Sequence, residues 1–466
     1  MSDRSQPTGG GRSPATGFTE GSVTRHLLNL TGFMVMGFLA MNIARLAEAA
    51  FVGLLGTAEL AAIAYNFPIV MGLGAASRGL GIGASSVVAR SMGSGDREGS
   101  AVLVTHCLWL TLTFTLICVA LGIPFAEPLF RVLGARDEVL LLTLDYFNVW
   151  ILGLPMFALS MVGTSLLRAT GDAKSPGFIQ TLGSILQIVF APPLIFGWFG
   201  IPPLGVVGAA LSHVLARVIS FGFTMYLFAF RDRLIVPTFD GLLPAWRSIL
   251  HVGLPATMTN LIGPVSNAII IRLLSSHGAA VVAGFGIAQR VDSIVAMVVI
   301  SLGGAAAPFI GQNWGAGHYD RVRESLRLAN RFSLAWGVFA AILMAAIGGP
   351  LVSLINDDAQ VIETATVFFL IVPFSIGFMG LNNVASASFN ALGQPMPPLV
   401  LALSRMIVLY VPLAILGDYL YGYAGIFGAT ALANVINGLA AAYWNRVSID
   451  NSVQRLQAAS ASVNGS

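Results

Sequence analysis

The sequence predicts an all-α integral membrane protein of about twelve transmembrane helices, arranged as two six-helix bundles in parallel repeat. Three observations predict it. Apolar residues make up 56% of the chain and charged residues 10%, where a soluble domain carries about 25% charge, and mean hydropathy is +0.81. Apolar runs of roughly 20 residues, enough to cross a bilayer as helix, recur along almost the whole length. The chain also repeats itself. At an offset of 222, Gly93-Ser94-Gly95 meets Gly315-Ala316-Gly317, Gly56 meets Gly278, Leu80-Gly81 meets Leu302-Gly303, Gly171 meets Gly393 and Pro176 meets Pro398. A long internal repeat in a membrane chain points to transport between two related bundles.

Residues 1–24 are polar, rich in Gly, Ser and Thr, and lack the apolar core of a secretory signal; they are expected to form a disordered cytoplasmic tail. The first lobe, 25–230, holds spans near 27–54, 59–90, 101–124, 140–167, 177–198 and 204–230. Residues 231–246 form the polar break between lobes. The second lobe, 247–446, holds spans near 247–275, 280–311, 332–355, 362–391, 397–417 and 424–446, and a disordered tail is expected over 447–466. Pro68, Pro155, Pro192, Pro193, Pro255, Pro264 and Pro373 can bend the spans that hold them. The first span has no proline, and Gly32 and Gly37 are its soft points. GSGD and GAG read as tight turns entering the third and ninth spans, since neither carries the Lys-Ser/Thr of a phosphate loop.

Loops on the side of the tails carry Arg97, Arg168, Lys174, Arg231, Arg233, Arg247, Arg321, Arg323, Arg327 and Arg331, against Arg131 and Arg136 opposite. The excess of positive charge predicts an inner-membrane protein with both termini in the cytoplasm. Six spans per half make the repeats parallel, with a cavity between them. Cys107 and Cys118 lie in one apolar span and read as packing thiols, not a disulfide framework. The net charge of +3 sits in loops and calls for no nucleic acid. With no nucleophile motif or metal-ligand spacing, an embedded enzyme is not expected. A monomer is expected, with no cofactor, so an H⁺ or Na⁺ gradient supplies the energy.

The fragments FVGLLGTAELAAIA, VVARSMGSGD, LLRATGDAKSP and FIGQNWGAG, taken with the repeat, resemble the multidrug and toxic compound extrusion (MATE) family, nearest its DinF-like branch, over roughly residues 25–446. The resemblance implies a V-shaped antiporter that exports amphipathic or cationic compounds against protons or sodium ions. A flippase for lipid-linked oligosaccharides shares this broad architecture and is the alternative. It needs an arginine-rich cavity, for which Arg45, Arg78 and Arg272 are the candidates.

A charge inside an apolar span costs about 2.5–3.5 kcal/mol on insertion scales, so each one retained needs a partner or a job. Glu48 lies in the outer half of the first span, where the resemblance implies a cation-coupling carboxylate, commonly Asp. Arg45, three residues earlier, offers a structural ion pair instead, and the two readings are compatible. His213, in the sixth span, is a candidate proton relay or a packing residue, and His106 is a weaker one. Where some members carry Asn and Asp in the fifth span, this chain has Gln187 and Ala191. One carboxylate suits a proton better than sodium. Gly263 and Pro264 stand where one branch has an acid, so a second-lobe cation site is not expected. Candidate substrate contacts are Tyr65, Asn66, Met71, Met156 and Met161 in the first lobe, with Asn260, Gln289 and Asn383 in the second. Soft and amide side chains suit a permissive pocket, although amides also join helices. Arg290 and Asp292 are expected to form a structural pair. Arg78 has no obvious partner, and a cation there disfavours a positively charged substrate.

Overall fold

The first lobe opens with α1 (Val23–Gly53), one unbroken helix, followed by α2 (Thr57–Gly93) and α3 (Arg97–Val132). Helices α4 (Asp137–Leu152) and α5 (Leu154–Ala169) then form one span bent by 48° at Gly153. The bend has a local cause. Pro155 in the first turn of α5 has no N–H to continue the α4 ladder. Helix α6 (Ser175–Phe196) and α7 (Gly205–Tyr226), extended by a π-helical turn Leu227–Arg231, complete the lobe. The second lobe runs α8 (Leu242–Leu274), α9 (Ala279–Gly315), α10 (Tyr319–Ser353), α11 (Ala359–Ile371), α12 (Ile376–Ala391), α13 (Met396–Leu403), α14 (Val411–Tyr421) and α15 (Tyr423–Asn464). A 3₁₀ turn at Pro373–Ser375 separates α11 from α12, and a π-helical stretch Ser404–Tyr410 joins α13 to α14. This computed structural model describes residues 17–464, with side chains through 458. Among them, eleven helical stretches are long and apolar enough to cross a membrane, and the bent α4–α5 pair makes a twelfth.

Local chemistry sets the junctions. Gly95 and Gly317, matched in the repeat, both take the left-handed backbone (φ +82° and +74°) in the turns before α3 and α10. Asp96 caps α3 by accepting from the Gly99 N–H at 2.8 Å, and Asp358 caps α11 through the Gln360 and Val361 N–H groups.

The lobes meet where α2 packs on α8 and α9, and α1 packs on α9. At the end of the bundle that carries the termini, α2 and α9 cross with Gly93 against the backbone of Gln312 and Gly315 against that of Arg90. Side chains seal this crossing. The Ser86 hydroxyl donates to the Asn390 carbonyl, Arg90 Nη1 donates to the Ala391 carbonyl at 2.5 Å, and Gln312 Nε2 donates to the Ala169 carbonyl at 2.7 Å.

Several boundaries differ from expectation: α3 runs on to Val132, past 124, and α10 begins at Tyr319, ahead of 332. The final helix does not stop near 447 but continues to Asn464. Ile449 and Val453, four apart, give it an apolar face buried against Phe18 and Val23, and Asp450 pairs with Arg323 at 3.0 Å. The expected tail over 1–24 lies outside the described residues up to 16, while residues 17–19 are partly or fully buried and 20–22 are exposed. Phe18 is 2% exposed, its N–H donates to Gln312 Oε1 at 2.7 Å, and its carbonyl accepts from Asn313 and Arg321. The inter-lobe linker is shorter than 231–246, because α8 begins at Leu242. Its extended part is strapped to α3: the Val236 N–H donates to Thr105 Oγ1 at 3.0 Å, and His106 Nε2 lies 3.2 Å from the Thr238 carbonyl. That contact gives His106 a structural partner. Cys107 and Cys118 are free thiols on α3.

Candidate functional site

Two cavities lie along one face of α2. The first, about 250 Å³, sits inside the first lobe in the half of the bundle away from the termini. Four helices supply its centre. Glu48 on α1 accepts from the Tyr146 hydroxyl of α4 at 3.0 Å through Oε1, and from Gln187 Nε2 of α6 at 2.9 Å through Oε2. Gln187 Oε1 in turn lies 3.3 Å from His213 Nδ1 on α7. Because the Gln187 amide donates to Glu48, its oxygen must accept, so Nδ1 of His213 carries the proton. His213 Nε2 is buried without a partner among the described residues. Its ring stacks on Trp150 (6.4 Å, 28°) and packs against Phe157 (5.7 Å). The Arg217 guanidinium, one turn further along α7, lies 5.8 Å from the Phe157 centroid.

The expected Arg45–Glu48 ion pair is not formed. Tyr146 and Gln187 occupy the two carboxylate oxygens, and Arg45 lines the same cavity without an ion-pair partner among the described residues. Arg78 and Arg217 line it too, equally unpaired. Three guanidiniums thus face a cavity that holds one carboxylate, so its field is positive. Tyr146, Trp150, Phe157 and Phe67 add aromatic surface.

The second cavity, about 290 Å³, lies between the lobes above the sealed crossing. Ser85 and Ser86 of α2, Arg168 of α5, Asn260 of α8, and Asn382 and Asn383 of α12 contribute to its wall.

The predicted contacts divide between the two. Asn66 and Met71 line the first cavity, although Asn66 spends its amide N–H groups on the Ala62 and Thr143 carbonyls. Asn260 and Asn383 line the second. Tyr65, Met156, Met161 and Gln289 line neither; Gln289 donates to Asn267 at 2.6 Å and ties α9 to α8. Arg290 and Asp292 make no ion pair with each other, because residues two apart on a helix point in nearly opposite directions. Asp292 Oδ1 is left buried without a partner among the described residues. Among the described residues the Arg272 guanidinium reaches Ser275 alone, at 3.5 Å. Among the described residues no three His, Cys, Asp or Glu side chains form a metal site. Sequence reasoning overlooked Tyr146, Trp150 and Arg217. Arg217 carried a readable signal, as a charge in an apolar span four residues after His213.

Two helical lobes with eleven to twelve candidate membrane spans among the described residues, and with cavities in and between the lobes, have the architecture of a polytopic membrane transporter. The family pattern MatE matches residues 34–192 and 255–416. A Shewanella oneidensis protein named FAD transporter is 34% identical over 430 residues, covering 92% of this chain and 95% of its own. The probable multidrug resistance protein YoeA of Bacillus subtilis is 26% identical, covering 86% and 89%. The Vibrio cholerae MATE transporter VcmN, in its bent form, superposes with a TM-score of 0.88 at 26% identity, covering 92% and 97%. The chain belongs to the MATE family of transporters.

Proposed function

We propose that this transporter exports an anionic amphiphile with an aromatic ring, of the flavin-nucleotide kind, from the cytoplasm, with Glu48 as a proton-coupling carboxylate. One observation carries the reading: among the described residues Arg45, Arg78 and Arg217 line an aromatic cavity whose one carboxylate is Glu48. Unit charges 4 Å apart interact by about 4 kcal/mol at an effective dielectric of 20, so the cavity repels a fixed cation and holds a phosphate or diphosphate. Of the amphipathic or cationic compounds that the family resemblance implied, this keeps the amphiphile and drops the cation. The relative named FAD transporter supports it, since a flavin dinucleotide joins a planar ring to a diphosphate. Arg272, needed for the flippase alternative, stands apart from both cavities.

Protonation supplies the switch. An ionised Glu48 only accepts hydrogen bonds, and two donors face it. A protonated Glu48 carries an O–H, so one of the two contacts reverses: the Tyr146 hydroxyl rotates to accept, or the Gln187 amide flips and passes the change to His213. That network joins α1 to α4, α6 and α7, and its rearrangement repacks the cavity wall against the cargo. A lone carboxylate favours H⁺ over Na⁺, which needs several oxygen ligands. Arginines in the loops and at the helix ends beside the termini, such as Arg97, Arg233, Arg247, Arg321 and Arg323, support an inner-membrane protein with both ends in the cytoplasm.

The test is transport in proteoliposomes with a pH gradient, a sodium gradient or a membrane potential imposed alone. FAD is expected to move with ΔpH and ethidium is not; an inside-negative potential adds about 2.3 kcal/mol per anionic charge per 100 mV. Glu48→Gln is expected to lose the ΔpH response while still binding FAD. Ethidium transport with no FAD transport overturns the substrate, and a full ΔpH response in Glu48→Gln overturns the coupling.

A further inference from the structure

We infer that the cavity between the lobes is a second binding site, for a phosphorylated polyol such as a sugar phosphate, and that it loads the cargo from the cytoplasmic half before the first-lobe cavity receives it. The identity of that cargo rests on the reading above; the site itself rests on its own chemistry.

Among the described residues its wall contains no carboxylate. Among the described residues Arg168 is its one charged group, and of five guanidinium N–H donors one is engaged, Nη2 to Ser165 Oγ at 2.9 Å. No carboxylate pairs with Arg168 among the described residues. Around it stand neutral groups with hydrogen bonds to spare. Asn382 accepts from Asn437 Nδ2 at 3.0 Å, which leaves its own amide N–H groups for the cavity. Asn260 gives its Nδ2 to the Ala256 carbonyl at 2.9 Å and keeps its oxygen. Asn390 is 7% exposed and its Oδ1 is buried without a partner among the described residues. A bare anion satisfies the donors but not the Asn260 and Asn390 oxygens. Hydroxyl groups donate to those oxygens and accept from the Asn382 amide, while a phosphate takes Arg168. A polyol bearing a phosphate meets both demands.

Position gives the site its place in transport. Met71, Gly74 and Arg78 of α2 face the first cavity, and Gly81, Ile82 and Ser85 face the second. Steps of three and four put all six on one helical face. Arg78 stands about 10 Å from Ser85 along the axis, at 1.5 Å per residue. Arg168, Arg78 and then Arg45 with Arg217 form a series of unpaired guanidiniums from the sealed end to the first-lobe cavity, along which an anionic group transfers from one cation to the next.

The test uses the full chain with Cys107 and Cys118 replaced by alanine and one reporter thiol at a time, Ser85→Cys in the second cavity or Met71→Cys in the first. Alkylation by a small maleimide is timed with ribose 5-phosphate, ribose or inorganic phosphate present. Ribose 5-phosphate is expected to slow alkylation at 85 and leave 71 unchanged, with ribose inert and phosphate weaker. Arg168→Gln is expected to weaken that protection about tenfold, the scale of a lost charge-assisted hydrogen bond, and Arg168→Lys to retain part of it. An unchanged reaction rate at 71 in Arg168→Gln shows that the variant is folded. No protection at 85, or equal protection with Arg168→Gln, overturns the site. Protection at 85 in a protein that does not transport FAD upholds the site and overturns the flavin reading alone.

Discussion

Alanine at Gly93 is expected to force the lobes apart at the end that carries the termini. A methyl there would lie 2.7 Å from the carbonyl carbon of Gln312 and 2.8 Å from its Cα, and against its carbonyl oxygen as well. Carbon pairs rest at about 3.5–4.0 Å, so α9 must retreat by about 0.8 Å at least. The obstacle is backbone on a packed helix, which cannot swing aside as a flexible side chain does. Gly315 meets the Arg90 carbonyl group in the same way, so alanine at both positions compounds the strain. Overpacking of this kind costs about 1–3 kcal/mol. Charged to the closed state alone, that shifts the open-to-closed ratio about 5- to 150-fold. The bonds from Ser86, Arg90 and Gln312 across the seam are lost with the same motion. Electron–electron distance measurement between spin labels at Ser94→Cys and His318→Cys, in nanodiscs, reads the separation directly. A longer population is expected in Gly93→Ala, and a larger one in the double variant. An unchanged distance distribution in the double variant would refute the view that this glycine crossing sets the closed state.

Arg217→Gln and Arg78→Gln should each weaken FAD binding about tenfold and leave uncharged riboflavin nearly unaffected, measured by flavin fluorescence quenching; equal losses for both ligands would assign the arginines to packing. Phe18→Ala or Gln312→Ala should release the segment before α1, read as faster hydrogen exchange at the Phe18 amide and earlier proteolysis there, since Phe18 is buried and its N–H is held by Gln312. At Asp172, in the loop after α5, burial works against ionisation, but hydrogen bonds from Ser175 and the bridge to Arg231 (2.6 Å) outweigh it and hold the carboxyl below its usual range. A depressed folded value contributes stability above about pH 4 that is lost as pH falls through it. The melting temperature in detergent should therefore hold at neutral pH and drop in acid, and Asp172→Asn should lower the neutral value and flatten the acid slope; an identical acid slope in Asp172→Asn would place the titrating group elsewhere.

The architecture was legible because it rests on properties counted along the chain. Apolar runs long enough for a bilayer located the spans, although α3, α10 and α15 run well past the expected limits, and the matched glycines marked turns whose backbone must be left-handed, as at Gly95 and Gly317. Glu48 was legible for a related reason: a carboxylate in an apolar run is anomalous wherever it points. Its partners were not. Tyr146, Gln187 and His213 come from α4, α6 and α7, and no spacing along the chain encodes which of them reaches the carboxylate first. Arg45 illustrates the difference: three residues from Glu48 it reads as an ion pair, yet two donors from other helices satisfy the carboxylate and leave the guanidinium on the cavity wall. The C-terminal residues erred the same way, since Ile449 and Val453 look like sparse apolar residues in a polar tail until Phe18 and Val23 are brought to meet them. Sequence by itself determined which segments leave water, because that free energy adds residue by residue along each helix. The tertiary structure alone decided the sign of the cavity, because a field is summed over charges that separate helices bring within a few ångströms of one another.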